Sequence, residues 1–228
     1  MADSLIWFLD STTRAAWPMN IRAVLFDCDG TLVDSEMLAM EVLVECAGQY
    51  GLVMSPEEAL GRFKGGKMAD CIAVLEQRLG HALPNDFEPD FRIRCARVFE
   101  DRLEPMAGAH EVLQRLQLPY ALASSGPREK IERNLRVTGL SRYFGDRVFS
   151  AYDIGKWKPD PALFLHAAEA LGVAPEHCAV VEDSLPGALA GVAAGMRTFV
   201  LEGETLPAQL ADAVQVIAHL EDLLPCFS

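Results

Sequence analysis

The sequence has no long hydrophobic run, no basic tract and no cysteine pair at metal-binding spacing. Each absence narrows what the chain can do. The most apolar stretch, about Leu185 to Met196, is too short to cross a bilayer and is rich in Gly and Ala. Its Gly187, Gly191 and Gly195 recur every fourth residue, which in so short a run predicts close helix packing in a core. Lys and Arg number 20 against 33 Asp and Glu, a net charge of −13. That balance argues against non-specific binding to nucleic acid or to an anionic membrane. It leaves small anions open, because a local site can oppose the net charge. The six cysteines (Cys28, Cys46, Cys71, Cys95, Cys178, Cys226) are scattered, none in C-x-x-C, and no His pair stands at zinc-ligand spacing. A disulfide framework and a zinc site are therefore not expected, and a reducing cytoplasm is. The apolar patch around Leu5 to Leu9 follows Asp3 and no basic segment, so it does not read as a signal peptide. Residues 1–18, ahead of Met19, are expected to be an extension upstream of the functional unit, with an ordered surface strap as the alternative. Internal repeats and low-complexity segments are lacking too.

What is present can bury a core. The chain has 228 residues, 50% of them hydrophobic. That suits one domain with an insertion, or a large and a small domain. Five short apolar runs read as buried parallel strands: Ala23–Phe26, Tyr120–Ala123, Val148–Ser150, Ala179–Glu182 and Thr198–Leu201. Helical patterns alternate with the later ones, over Ala107–Leu116, Arg128–Val137, Pro161–Leu171 and Pro186–Ala194. Pro127 stands at the start of the second, and Gly172 and Gly195 stand where helices end. Such alternation predicts a parallel sheet with helices on both faces. Residues 35–104 break the rhythm. They show helical stretches near Glu36–Tyr50, Pro56–Phe63, Met68–Leu79 and Asp86–Leu103, and no strand. An insertion directly after the first strand stands over the carboxyl ends of the strands, where open α/β sheets place their sites.

Four clusters carry chemistry. Asp27-Cys28-Asp29-Gly30-Thr31-Leu32-Val33-Asp34 follows the first strand. Two carboxylates two residues apart at a strand end can share one cation. Cys28 between them points the other way in an extended segment and reads as packing. Ala121-Leu122-Ala123-Ser124-Ser125-Gly126-Pro127 places hydroxyls between a strand end and a helix start, a natural position for donors to phosphate oxygen. Gly155-Lys156-Trp157-Lys158-Pro159-Asp160-Pro161 carries two lysines before a helix. Val180-Val181-Glu182-Asp183-Ser184 ends a buried strand in two acids, which something must hold.

In this order, from about Ile21 to the C-terminus, the four clusters resemble the motifs of the haloacid dehalogenase-like superfamily. The match is to its branch with an all-helical cap, which includes the β-phosphoglucomutase-like proteins. The resemblance implies an α/β fold: a Rossmann-like, doubly wound parallel sheet built from residues 19–34 and 105–228, with a helical cap over 35–104. It implies a Mg²⁺-dependent phosphatase acting through an aspartyl-phosphate. Asp27 would be the nucleophile and Asp29 the general acid, then the base that activates water. Asp29 matters for substrate, because the dehalogenases of the superfamily lack an acid there; halide needs no proton. Thr31 would support the phosphate and Asp29, and Ser124 would bind phosphate with Ser125 beside it. Lys158 aligns with the family lysine that offsets negative charge at the nucleophile, leaving Lys156 a solvated surface charge. Here the usual P-x-P-D order is altered to Pro159-Asp160-Pro161-Ala162. The Mg²⁺ ligands would be Asp27, the backbone carbonyl of Asp29, Asp183, and Glu182 directly or through water.

The cap is expected to act as a lid. Its segment Gly61-Arg62-Phe63-Lys64-Gly65-Gly66-Lys67 gathers three cations in an otherwise acidic chain. Lys64 and Lys67, with Arg62, are expected to meet a second anionic group such as a carboxylate; an ordinary basic turn is the alternative. The β-phosphoglucomutase relatives carry a His and an Arg where this chain has Ala39 and Met68, which argues against a mutase. The segments around Lys64, Ser125 and Trp157 resemble those of the bacterial 6-phosphogluconate phosphatases. The expected substrate is a small sugar or sugar-acid phosphate, 6-phosphogluconate foremost, handled by a monomer. A mutase stays open as the alternative, and a receiver-like or non-catalytic phosphate-binding protein lies further off.

Overall fold

The computed structural model describes residues 20–227, so the expected N-terminal extension lies outside the described residues. In chain order the elements are β1 (Ala23–Phe26), α1 (Glu36–Gly48), α2 (Pro56–Phe63), α3 (Met68–Leu79), α4 (Phe87–Arg102) and α5 (Ala109–Arg115). Then come β2 (Tyr120–Ser124), α6 (Arg128–Val137), α7 (Ser141–Phe144), β3 (Val148–Ser150), α8 (Ala151–Ile154) and α9 (Ala162–Ala170). The chain finishes with β4 (Cys178–Glu182), α10 (Leu185–Ala193), β5 (Arg197–Leu201) and β6 (Val214–Ile217), among short 3-10 turns.

The strands form one parallel sheet of six in the order β3-β2-β1-β4-β5-β6. Both faces are covered, as an all-parallel sheet requires. Val24, Phe26, Leu122, Val181 and Phe199 face one core, which continues through α5, α6 and the helices after β1. Ala23, Leu25, Ala121, Ala123 and Val180 face the other, against α9 and α10. This alternation along buried strands places Asp27 next in line at the end of β1. Its N–H donates to Val181 O at 3.0 Å, so the ladder with β4 continues up to the acid. The order reverses between β1 and β4, which opens a crevice at their carboxyl ends.

Strand β6 is missing from the expected set. It has four residues, pairs only with β5 and buries only Ile217. Val214, Val216 and Ile217 are apolar, but so short a run does not separate a strand from a helical turn. In the run of small residues, Gly187 and Gly191 of α10 face the sheet, and the helix also packs against α9. A Cβ at Gly187 would lie 1.9 Å from the Glu182 carboxyl carbon, and one at Gly191 would lie 2.5 Å from Thr198 Oγ1.

Between β1 and α5 the chain forms α1 to α4 with no strand among them. Ser55 accepts from Glu58 N at 3.2 Å to cap α2, and Gly80 ends α3 in the left-handed region. The two connections to this helical segment run side by side: Asp34 N–H donates to Glu104 O at 3.0 Å, and Met106 N–H to Leu32 O at 2.9 Å. The helices bury Leu43, Phe63, Leu75, Phe91 and Phe99 in the same core that reaches the sheet. They touch the sheet domain along α4 and α6, where Glu100 pairs with Arg136, and at further places. Arg92 of α4 donates to Tyr152 Oη at 2.8 Å. The loop after α2 rests on the loop after β4, where a Cβ at Gly65 would stand 2.8 Å from Ser184 Cβ. A side chain at either Gly65 or Gly187 would push these layers apart.

Candidate active site

The carboxyl ends of β1, β2 and β4, with the loop before α9, converge on one buried cluster. Lys158 is its centre. Its ammonium donates to Asp27 Oδ1, to Glu182 Oε1 at 2.5 Å and to Ala123 O at 2.9 Å. Glu182 Oε2 accepts from Ser184 Oγ at 2.9 Å and from the N–H groups of Asp183 and Ser184 at 3.2 and 3.3 Å. Both of its oxygens are thus held, consistent with its complete burial. Asp183 accepts from Thr31 Oγ1 at 3.3 Å and lies 2.9 Å from Lys64 Nζ, which reaches down from the helical segment. Ligand oxygens of Asp27, Glu182 and Asp183 all lie within 4.8 Å of one another.

Burial sets the electrostatics. It pushes the Asp27 carboxyl up to about 7, against the pull of Lys158 and with the charges of Glu182 and Asp29 adding to the rise. It pushes Asp183 up to about 6, with Asp27 adding and Lys64 opposing. Burial alone would lower the Lys158 pKa; Asp27 and Glu182 outweigh it and hold the ammonium above its ordinary value. Three buried carboxylates thus face two cations, Lys158 and Lys64. A divalent cation fits this donor set: the ligands are hard oxygens, close together, and uneasy as anions without further positive charge.

Asp29 is turned toward a different set of groups. It accepts from Ser35 Oγ at 2.6 Å, Lys130 Nζ at 2.8 Å and Asn134 Nδ2 at 3.3 Å. Burial would raise its pKa, but Lys130 and the hydrogen bonds prevail and hold it below the usual carboxylate range. Ser124 is buried, accepts from Gly126 N at 3.1 Å and lines the cavity with Ser125. That cavity has a volume of about 690 Å³, the size of a small-metabolite site. Asp27, Asp29, Lys158 and Asp183 form its floor, and Phe63, Phe91, Phe99 and Trp157 are among its walls.

The expected site residues therefore converge, with two differences. The Thr31 hydroxyl is directed at Asp183 and not at Asp29, whose nearer hydroxyl is Ser35. Lys64 does not stand free for a second anion: the under-compensated Asp183 draws it in, and Glu204 lies 3.8 Å away. Lys67 does line the cavity, with its ammonium 5.5 Å from the Trp157 ring centroid, whereas Arg62 is exposed. Lys156 is exposed and pairs with Asp160 at 3.4 Å. Asp160, out of its usual order, accepts from Ala162 N at 2.9 Å and so caps α9. Cys28 is fully buried, and burial pushes its thiol well above the ordinary range.

Sequence reasoning missed Lys130, Ser35, Asn134 and Glu36. The first and third stand four residues apart on one helix face, which signals a shared surface but not its partner. Glu36 lines the cavity, and burial pushes it up to about 8 with help from Asp183 and Asp29.

Comparison with known proteins agrees with the geometry. The profile of a family described as haloacid dehalogenase-like hydrolase matches residues 21–195. A 6-phosphogluconate phosphatase of Escherichia coli is 41% identical over 181 residues, 79% of this chain and 82% of the relative. Hexitol phosphatase A of the same organism is 31% identical over 211 residues, 90% of this chain and 94% of the relative. A haloacid dehalogenase-family hydrolase of Deinococcus radiodurans, solved with bound phosphate and sodium, superposes with a TM-score of 0.74 at 30% identity, covering 91% of this chain and 97% of that one.

Proposed function

Because the chain belongs to the haloacid dehalogenase-like hydrolases and is one of their phosphatases, we propose that it hydrolyses a small sugar-acid phosphate, 6-phosphogluconate foremost. Asp27 attacks phosphorus and forms an aspartyl-phosphate. The leaving alkoxide takes its proton from Asp29. A water that gives a proton back to Asp29 then attacks the acyl phosphate, freeing inorganic phosphate and restoring Asp27. The contacts with Lys130, Ser35 and Asn134 favour the ionised form of Asp29, the form needed in the second half. Lys158 holds Asp27 in place and offsets the charge gathered around the phosphoryl group. Ser124 and Ser125 are placed to donate to phosphate oxygens.

Asp27, Glu182 and Asp183, with the carbonyl of Asp29, would hold Mg²⁺. Bound there, the ion would offset the repulsion between a carboxylate nucleophile and an anionic ester. The helical segment 35–104 is the lid, resting on the site through Lys64, Gly65 and Arg92 and excluding water from the cavity.

One observation carries this reading: a buried lysine clamps the acid at the end of β1 to the acid at the end of β4, on the floor of a small-metabolite-sized cavity. The substrate choice is supported by the identity with the 6-phosphogluconate phosphatase. Ala39 and Met68 also line the cavity, and neither offers the polar group that the mutases have at those positions. Phosphate release tests the proposal, measured with Mg²⁺ and with EDTA on 6-phosphogluconate, β-glucose 1-phosphate, glycolate 2-phosphate and p-nitrophenyl phosphate. Mg²⁺-dependent release, fastest from 6-phosphogluconate, is expected. Conversion of β-glucose 1-phosphate to glucose 6-phosphate without ester hydrolysis would replace the phosphatase by a mutase.

A further inference from the structure

Among the cations lining the cavity, four have partners. Lys158 holds Asp27 and Glu182, and Lys130 holds Asp29. Arg92 is shared by Glu88 and Tyr152, and Lys67 lies over Trp157. The fifth, Arg133, lines the same cavity and is half-buried, yet it has no ion pair, hydrogen bond or ring contact among the described residues. The chain is strongly acidic, with 33 Asp and Glu, and Glu129 stands one turn back on the same helix and lines the same cavity, yet Arg133 makes no ion pair among the described residues. A guanidinium that has lost part of its water and gained no partner is under-satisfied, and an anion seated against it would restore the lost hydrogen bonds.

Its position is specific. Lys130 and Arg133 are three residues apart on α6 and so share a face, about 4.5 Å apart along the axis. Lys130 marks the end of that face beside Asp29. Arg133 lies one turn further along the groove between α4 and α6, away from the reacting carboxylate. A phosphate ester with its phosphoryl group on Asp27 has its far end available to this groove.

We propose that Arg133 is a specificity-determining residue that reads a second anionic group, a carboxylate or a second phosphoryl, on the end of the substrate remote from the scissile ester. A planar guanidinium suits either through paired N–H donors. The inference rests on the phosphatase reading and deepens it. It also moves the second-anion site from the lysines after α2, one of which is taken by Asp183, to the sheet domain.

The test compares kcat and KM for three esters: 6-phosphogluconate, sorbitol 6-phosphate and fructose 1,6-bisphosphate. The first two differ in whether the far carbon is a carboxylate or a hydroxymethyl group, and the third carries a second phosphoryl. The natural protein is expected to prefer at least one of the two esters with an anionic tail over sorbitol 6-phosphate. In Arg133→Ala that preference is expected to fall roughly tenfold or more, through KM and not kcat, with partial return in Arg133→Lys. Whichever of the two esters loses most identifies the second anion. An equal fall for all three esters in Arg133→Ala and Arg133→Gln would make Arg133 a packing residue and overturn the inference. So would a natural protein that turns over all three esters without preference; in both cases the phosphatase reading survives. Failure to hydrolyse these esters and p-nitrophenyl phosphate would overturn the phosphatase reading itself, and the inference with it.

Discussion

Replacing Lys158 by Met removes a charge from the most buried ionic cluster of the protein. The Lys158 side chain is 4% exposed, and those of Asp27 and Glu182 are 10% and 0% exposed. Met fills much of the same space, so the loss is mainly electrostatic. Two buried carboxylates are left facing each other with their shared cation gone. Removing one member of such a pair typically destabilises by about 3–5 kcal/mol. In a chain of this size each kcal/mol moves Tm by about 2–4 °C, so a fall of roughly 6–20 °C is expected. The deficit should depend on pH. The Asp27 carboxyl already stands at about 7 with Lys158 present, and its removal raises it further. A raised carboxyl favours the fold at acid pH and loses that contribution as pH climbs through the folded pKa. Lys158→Met should therefore be far less stable than the natural protein near pH 8, and nearer to it at about pH 5. Thermal unfolding followed by circular dichroism in EDTA reads both values, and kcat at saturating Mg²⁺ should fall by about 100-fold or more. A variant whose Tm at pH 8 stays within about 2 °C of the natural protein would refute the assigned role of Lys158.

Asp27→Asn should abolish turnover while leaving circular dichroism unchanged; near-normal phosphate release would remove Asp27 as the nucleophile. Gly187→Ala puts a Cβ where the Glu182 carboxylate lies, and that carboxylate is tied to Lys158 and Ser184. It should destabilise by about 1–3 kcal/mol and weaken Mg²⁺ binding, as seen by denaturant unfolding and by calorimetry. Asp27 and Asp183, at about 7 and about 6, both sit above the ordinary 3.8, so the metal-free protein gains from protonating them. EDTA-treated protein should melt higher near pH 5 than near pH 8, and Mg²⁺ should raise Tm most at pH 8; the opposite trend would exclude these acids as metal ligands.

Much of the site was legible before any coordinates, because its residues sit at strand ends. An apolar run of four or five residues announces a buried strand, and the first polar residue after it must emerge at the carboxyl edge. Asp27, Ser124 and Glu182 follow from that rule, with Asp183 next to Glu182, and Gly30 and Gly126-Pro127 mark the turns after β1 and β2. Helix limits were equally local: Pro127, Gly172 and Gly195 act on their own backbone. Strand β6 escaped although Val214, Val216 and Ile217 are apolar, because four residues at an exposed edge are too few to separate a strand from a helical turn.

The sequence by itself therefore determined five of the six strands, the main helices between them, the insertion after β1 and the acids and hydroxyls at the sheet's edge, since propensity and turn chemistry act over a few residues; the family resemblance separates Lys158 from Lys156. Only the tertiary structure decided which charge meets which. Lys130 finds Asp29 across 101 positions of chain, Lys64 is drawn to Asp183 from the helical segment, Ser35 takes the contact expected of Thr31, and Arg133 is left in the cavity with no partner among the described residues. These pairings depend on how α4 and α6 pack and on which buried acid lacks compensation, and packing between distant elements leaves no mark in local sequence.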